Sequence, residues 1–311
     1  MKIGFIIPTY PDEKRIALLP DDIDGFENEI IMEKGFGKNM NIDDSEYIAK
    51  GCKMSTRENI FATCDNIFCL KLLQEEDYHL LRENHVIIGW THPTGSGKKF
   101  YDEVASPKNL IIVDLDNIYP TIRQRDKVVK IPFLKPNFIW RNSFYAGIAS
   151  IQHALLNYGM YPDSTTKVAV LSSGNVAQGT FAEISNYNPD LRMFYRKTMH
   201  EFYDSIDEYD IIINGIEVDN STDHIIRREH LAKIKKGCLL IDAAADAGNA
   251  IEGTHYTTIS NPIYEENGLY FYEVNNAPSL LYRKTSKEIS RSFSENVFKH
   301  DISRFLNLLQ Q

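Results

Sequence analysis

Short runs rich in Val, Ile and Phe alternate along this chain with stretches of helical periodicity, and that rhythm constrains the fold most. Parallel strands read this way. They are buried on both faces, and joining two of them takes a crossover of about a dozen residues or more, usually a helix. A first series of strands is expected at 2–7, 29–32, 66–71, 85–91 and 110–114. A second is expected at 167–171, 191–195, 210–214, 238–242 and 269–275. Between them, Ile148, Ile151 and Leu155 fall at helical spacing over 143–158 before Gly159 ends the run, which predicts a connecting helix. Near the end of the sequence, Ile289, Phe293, Val297, Ile302, Phe305 and Leu309 recur every three to five residues and predict amphipathic helices that return to the first domain. The expected fold class is therefore α/β, with two parallel-sheet Rossmann-like domains and an active-site cleft between them. The expected domains are 1–140 with 284–311, for substrate and catalysis, and 141–283, for cofactor.

Composition narrows the function. With 311 residues, about twice the ~150-residue prior for one domain, two domains are the natural division. A net charge of −9 has the wrong sign for a general nucleic-acid binder. No apolar run approaches the ~18 residues that would suggest a bilayer span, and the opening apolar run is too short for a signal peptide. No nucleic acid, no membrane and a cytoplasmic location are expected. Cys52, Cys64, Cys69 and Cys238 show no Cys-x-x-Cys spacing, so reduced, buried thiols are expected rather than a disulfide framework or a metal site.

The second strand series opens on Lys167-Val-Ala-Val-Leu and runs into Ser172-Ser-Gly174-Asn175-Val176-Ala177. A strand, a turn of small residues and then a helix is the layout of a dinucleotide-phosphate turn. Ser172 and Ala177 stand where that pattern's first and third glycines would be, and an ordinary strand-to-helix turn also suits such residues. Where NAD-preferring proteins carry an acid about 20 residues on, this chain reads Tyr195-Arg196-Lys197-Thr198. Two cations and a hydroxyl suit the 2′-phosphate of NADPH, which makes Arg196 and Lys197 its candidate ligands, though a solvated strand end would read alike.

In the first half, Arg15 follows the loop that leaves the first strand, while Lys71 and His92 are expected to close the third and fourth. Ligands of open α/β sheets gather outside such carboxyl ends. For a keto acid, Arg can fix the carboxylate, Lys can polarise the carbonyl oxygen and His can move protons near neutral pH. Taken singly, the two cations could be surface charges and His92 a turn residue before Pro93. Thr91, Ser96 and Arg141 are further polar candidates for holding a second substrate.

Several segments together resemble the alanine dehydrogenase and transhydrogenase superfamily over nearly the whole chain: Arg15-Ile-Ala-Leu-Leu-Pro20, Lys71, His92, Ser143-Phe-Tyr-Ala-Gly147, Ile241-Asp-Ala-Ala-Ala-Asp246-Ala-Gly248, and Val274-Asn-Asn276-Ala-Pro278. The resemblance implies that Lys71 and His92 are catalytic, that Asp246 lies by the nicotinamide and substrate, and that Ser143 and Asn276 contact the cofactor. It also implies a homo-oligomer.

The lost glycines and the missing strand-end acid depart from the NAD-dependent alanine dehydrogenases. With the opening segment Met1 to Arg15, they resemble most the members that condense pyruvate with the side-chain amine of ornithine or lysine and reduce the imine with NADPH. An alanine dehydrogenase using ammonia, a saccharopine-dehydrogenase-like enzyme and a non-catalytic NADP-binding sensor remain as alternatives at this stage.

Overall fold

The computed structural model describes residues 1–218 and 222–310, and the chain divides into two compact units, 1–139 with 282–311 and 140–281. Among the described residues, no helix is long and apolar enough to cross a membrane.

The first unit is built on an eight-stranded sheet: β1 (Lys2–Phe5), β2 (Glu29–Glu33), β3 (Lys53–Ser55), β4 (Asn66–Cys69), β5 (Val86–Gly89), β6 (Ile111–Asp114), β7 (Thr121–Gln124) and β8 (Lys127–Lys130). Their order is β3-β2-β1-β4-β5-β6-β7-β8. All pairings are parallel from β3 to β6, and an antiparallel hairpin, β7–β8, extends the edge. The sheet is thus mixed rather than purely parallel. β3, β7 and β8 were not expected, because they are short and polar; the Lys-Val-Val-Lys of β8 is an edge strand flanked by charges that discourage further pairing.

Successive residues of the central strands feed two separate cores. Ile88 and Phe68 face one layer, and Ile87, Ile67 and Cys69 face the other. The C-terminal helix Tyr282–Phe293, continued through Ser294–Phe298, fills the first of these layers: Ile289, Phe293, Val297, Phe298, Ile302 and Phe305 are all buried with Phe5, Phe68 and Trp90. Each such side chain contributes about 1.5–3 kcal/mol by leaving water.

The second unit carries a six-stranded sheet: β9 (Lys167–Leu171), β10 (Asp190–Phe194), β11 (Ile211–Asn214), β12 (Leu239–Asp242), β13 (Ile263–Glu266) and β14 (Leu269–Tyr272), in the order β10-β9-β11-β12-β14-β13. Only β13 is antiparallel. The strand expected at 269–275 therefore stops at Tyr272. The helix preceding β9 starts at Trp140 and runs to Tyr158, so Ser143 lies inside its first turn rather than before it. Gly159, at φ +79°, closes that helix.

This long helix crosses helix Asn175–Ile184 at Gly147 and Gly179. A Cβ on Gly147 would fall 2.2 Å from the Val176 carbonyl oxygen, and one on Gly179 would fall 1.9 Å from the Phe144 carbonyl oxygen. Both obstacles are backbone, so neither helix can yield locally. All four cysteines are buried and none is in a disulfide. Gly179→Ala is expected to destabilise the protein by about 1–3 kcal/mol in urea unfolding; an unchanged midpoint and slope would show that the helices do not cross there.

Candidate active site

The chain leaves β1 toward β2 on one side and, after β3, resumes at β4 on the other, so the carboxyl ends of β1 and β4 form a topological switch point. Arg15 lies on the segment that follows β1. Lys71 and His92 lie just beyond β4 and β5 rather than within them, since those strands end at Cys69 and Gly89. Gly89, at φ +151°, marks the end of the pairing: a Cβ there would sit 1.8 Å from the Cys69 carbonyl oxygen.

Arg15 and Lys71 converge on Trp90, and the Lys71 charge also acts on His92. The Arg15 guanidinium stands 4.8 Å from the Trp90 ring centroid, and Lys71 Nζ stands 5.8 Å from the same ring and 5.2 Å from that of Tyr10. Cations over ring faces are stabilised by the ring quadrupole. Burial lowers the Lys71 ammonium pKa, the nearby Arg15 charge adds to that, and Asp116 and Glu13 only partly offset the fall.

Glu13 aligns Arg15. Arg15 Nε and Nη2 donate to its two oxygens at 2.9 and 2.5 Å, and the Arg15 amide donates to Oε1 at 2.8 Å. Burial raises the Glu13 carboxyl, but the Arg15 charge and hydrogen bonds more than reverse this and hold it below the usual range. Glu13 thus occupies the Nε edge of the guanidinium and fixes its orientation.

The Arg15 segment is itself pinned by a serine stripe on the C-terminal helix. Ser286 Oγ accepts from the Ile16 amide at 2.9 Å, and Ser290 Oγ accepts from the Leu19 amide at 2.8 Å and donates to Asp22. Ser294 donates to the Asp22 carbonyl at 2.5 Å. Removing either acceptor would leave a buried amide unpaired, at a cost of about 1–3 kcal/mol.

His92 adopts the left-handed conformation, at φ +43°, which a residue other than glycine holds only when its surroundings enforce it. Asp114, the last residue of β6, supplies that restraint by accepting from both the amide and the hydroxyl of Thr91 at 3.1 Å. Thr91 is buried, with its hydroxyl turned to Asp114. His92 Nε2 pairs with Asp116. The Asp116 charge pushes the imidazole up to about 9; burial opposes this, and hydrogen bonding to Asp116 reinforces it. Near neutral pH His92 is thus an imidazolium, a proton donor. Asp116, just beyond β6, and Glu13 are the principal residues that the sequence reading passed over. The carboxyl-end rule that singled out Lys71 and His92 extends to Asp116.

In the second unit, β9 lies between β10 and β11, which makes its carboxyl end another switch point. Ser172 takes φ +106° there, the region glycine supplies in the usual motif, and its Oγ accepts from the Gly174 amide at 3.1 Å. Gly174 is the N-cap of helix Asn175–Ile184, and no side chain caps that end. A serine that keeps the glycine conformation, with an uncapped helix start bearing Asn175 and Val176, fits a dinucleotide phosphate. Arg196 and Lys197 are both exposed, on a turn latched by the Tyr195 amide donating to Thr198 Oγ1 at 2.9 Å.

Asp242 organises the loop that leaves β12. It accepts from Asn214 Nδ2 at 2.9 Å and from the amides of Ala244, Ala245 and Asp246 at 3.2, 3.2 and 3.3 Å. Ala245, at φ +61°, is thereby held in the left-handed region just before Asp246, which is partly buried. Asn276 is buried and starts the turn into helix Ala277–Leu281, where Ser279 donates to its carbonyl at 3.0 Å. Ser143 lies one turn before Gly147, on the helix that crosses the dinucleotide turn's own helix.

Comparison with known proteins agrees with this layout. The pattern described as "Alanine dehydrogenase/PNT, N-terminal domain" matches residues 9–130, and "Alanine dehydrogenase/PNT, C-terminal domain" matches residues 145–307. The chain belongs to the alanine dehydrogenase/PNT family of oxidoreductases. Two curated relatives, both called N(5)-(carboxyethyl)ornithine synthase, align over essentially the full length. The one from Clostridium botulinum is 53% identical, covering 100% of this chain and 98% of its own. The one from Lactococcus lactis subsp. lactis strain IL1403 is 51% identical, covering 99% of each. Among solved structures, an L-alanine dehydrogenase superposes with a TM-score of 0.77 at 16% identity, over 100% of this chain and 92% of its own, which supports the fold.

Asp116→Asn is expected to bring the His92 titration, followed by proton NMR of its ring, down from about 9 toward the ordinary 6.5. Because the folded value is raised, the pair stabilises the native state below about 6.5, as long as Asp116 stays ionised, and loses that contribution as pH rises through about 9. The gap in unfolding midpoint between wild type and variant should close across that window; a gap constant from pH 6 to 10 would contradict the pairing.

Proposed function

We propose that this protein is an NADPH-dependent oxidoreductase that condenses pyruvate with the side-chain amine of ornithine or lysine, giving an N-(1-carboxyethyl) amino acid. The observation that carries this reading is the convergence of Arg15, Lys71 and His92 on one switch point, in a chain about half identical to relatives called carboxyethylornithine synthases. Arg15 fixes the pyruvate carboxylate, and Lys71 hydrogen-bonds the carbonyl oxygen while the neutral amine attacks the carbonyl carbon. The carbinolamine so formed loses its oxygen as water, taking the proton from the His92 imidazolium that Asp116 maintains. Because the nitrogen keeps its own proton as water departs, the product is the protonated imine, which accepts hydride far more readily than the parent ketone. NADPH, held by the Ser172–Val176 turn with Arg196 and Lys197, would supply that hydride when bound. Asp246 balances the positive charge that develops on nitrogen, a task for a carboxylate already fixed by its loop.

Cofactor preference is assigned to Arg196 and Lys197, whose exposed charges suit a 2′-phosphate; no carboxylate stands at 195–198 to repel one. An alanine dehydrogenase would share the same three cations, but the full-length kinship to the synthases favours the larger amine over ammonia.

Mass spectrometry of products from NADPH, pyruvate and a panel of amines tests the reaction. Ornithine or lysine should gain a carboxyethyl group, whereas product from ammonia alone would replace this reading with alanine formation. Arg196→Ala with Lys197→Ala should raise the KM for NADPH by on the order of tenfold or more, since hydrogen bonds to charged groups contribute about 1.5–3 kcal/mol each. The KM for NADH should barely move, and equal effects on both cofactors would refute the assignment.

A further inference from the structure

Two carboxyl groups lie side by side in the core of the second unit. β12 and β14 pair in parallel with Ile241 opposite Tyr272, so the next residue on each chain, Asp242 and Glu273, are neighbours too. Both are fully buried. Their surroundings differ sharply. Asp242 receives four N–H groups, from Asn214, Ala244, Ala245 and Asp246. Neither oxygen of Glu273 meets a donor. The Thr254 hydroxyl lowers the Glu273 carboxyl pKa, but less than burial and the Asp242 charge raise it, and its proton is directed at the Ile251 carbonyl at 2.9 Å. The Tyr264 hydroxyl, which feels the Glu273 charge, is also buried and makes no hydrogen bond.

We propose that Glu273 is held as a neutral carboxylic acid that donates its proton to Asp242, and that it thereby acts as a positioning residue for the loop presenting Asp246. Two adjacent buried carboxylates cannot both ionise, and the proton resides on the one without donors. An ionised Glu273 would be a desolvated charge with no counter-ion: the charged groups acting on it, Asp242 and Asp246, are both negative. Burial and then the Asp242 charge drive its pKa well above the carboxylate range, in agreement with this geometry.

The consequence reaches Asp246. Asp242 can cradle three successive amides, and hold Ala245 at φ +61°, only as an acceptor fixed in place. A donor from Glu273 supplies a fifth hydrogen bond and blocks rotation of that carboxylate. The protonation state stands whatever the protein catalyses, and only the catalytic importance of Asp246 rests on the function proposed above.

The test combines infrared spectroscopy with amide hydrogen exchange, and neither needs a substrate. At neutral pH the wild-type protein should show the carbonyl stretch of an un-ionised carboxylic acid, absent from Glu273→Gln. Glu273→Gln, which can still donate from its amide, should keep the Ala244, Ala245 and Asp246 amides protected. Glu273→Leu, which cannot, should exchange them faster by on the order of tenfold. A missing band in wild type, or a band that survives Glu273→Gln, overturns the protonation state even if Glu273→Leu fails to fold. Equal exchange in Gln and Leu variants overturns the positioning role.

Discussion

Holding like charges together is the constraint on which the first unit depends. Arg15 and Lys71 approach the same indole ring, and His92 carries a proton beside them, in surroundings that disfavour any isolated charge. Two carboxylates make the arrangement tenable. Glu13 locks one edge of the Arg15 fork, and Asp116 sustains the His92 imidazolium. What remains of the positive charge is concentrated on the groups an anionic 2-oxo acid would meet. Lys71 yields instead, its pKa falling under burial and the Arg15 charge by more than Asp116 and Glu13 restore.

The second unit applies the same economy to backbone rather than to charge. Ser172 and Ala245 both take left-handed conformations that glycine would adopt without strain. Each lies in a turn closed by a side-chain oxygen: Ser172 Oγ itself in the first case and the Asp242 carboxylate in the second. The loops after β9 and β12 are therefore fixed by side chains, which favours preorganised electrostatics over induced rearrangement.

Much of this was legible in the sequence because it follows from burial. Strands β1, β2, β4 to β6, β9, β11, β12 and β14 announce themselves as apolar runs, β10 by alternation in Asp-Leu-Arg-Met-Phe, and Ile289, Phe293 and Val297 reveal the returning helix. The short strands β3, β7, β8 and β13 do not, since a part-exposed strand of three or four residues leaves no apolar run to read. The cations could be placed because they follow parallel strands. Their partners could not: whether Glu13 folds back on Arg15 or turns to solvent depends on the path of a loop. The serine stripe was visible as Ser286, Ser290 and Ser294 at four-residue intervals, but its role as an acceptor for the Arg15 segment appears only once helix and loop are packed.

The central claim is that Arg15, Lys71 and His92 form one anion-binding constellation outside the carboxyl ends of β1, β4 and β5. A crystal structure determined with oxamate, an unreactive analogue of pyruvate, tests it most directly. The carboxylate is expected against the Arg15 guanidinium and the amide oxygen within hydrogen-bonding reach of both Lys71 Nζ and His92. Oxamate bound elsewhere, or bound without touching Lys71, would contradict it.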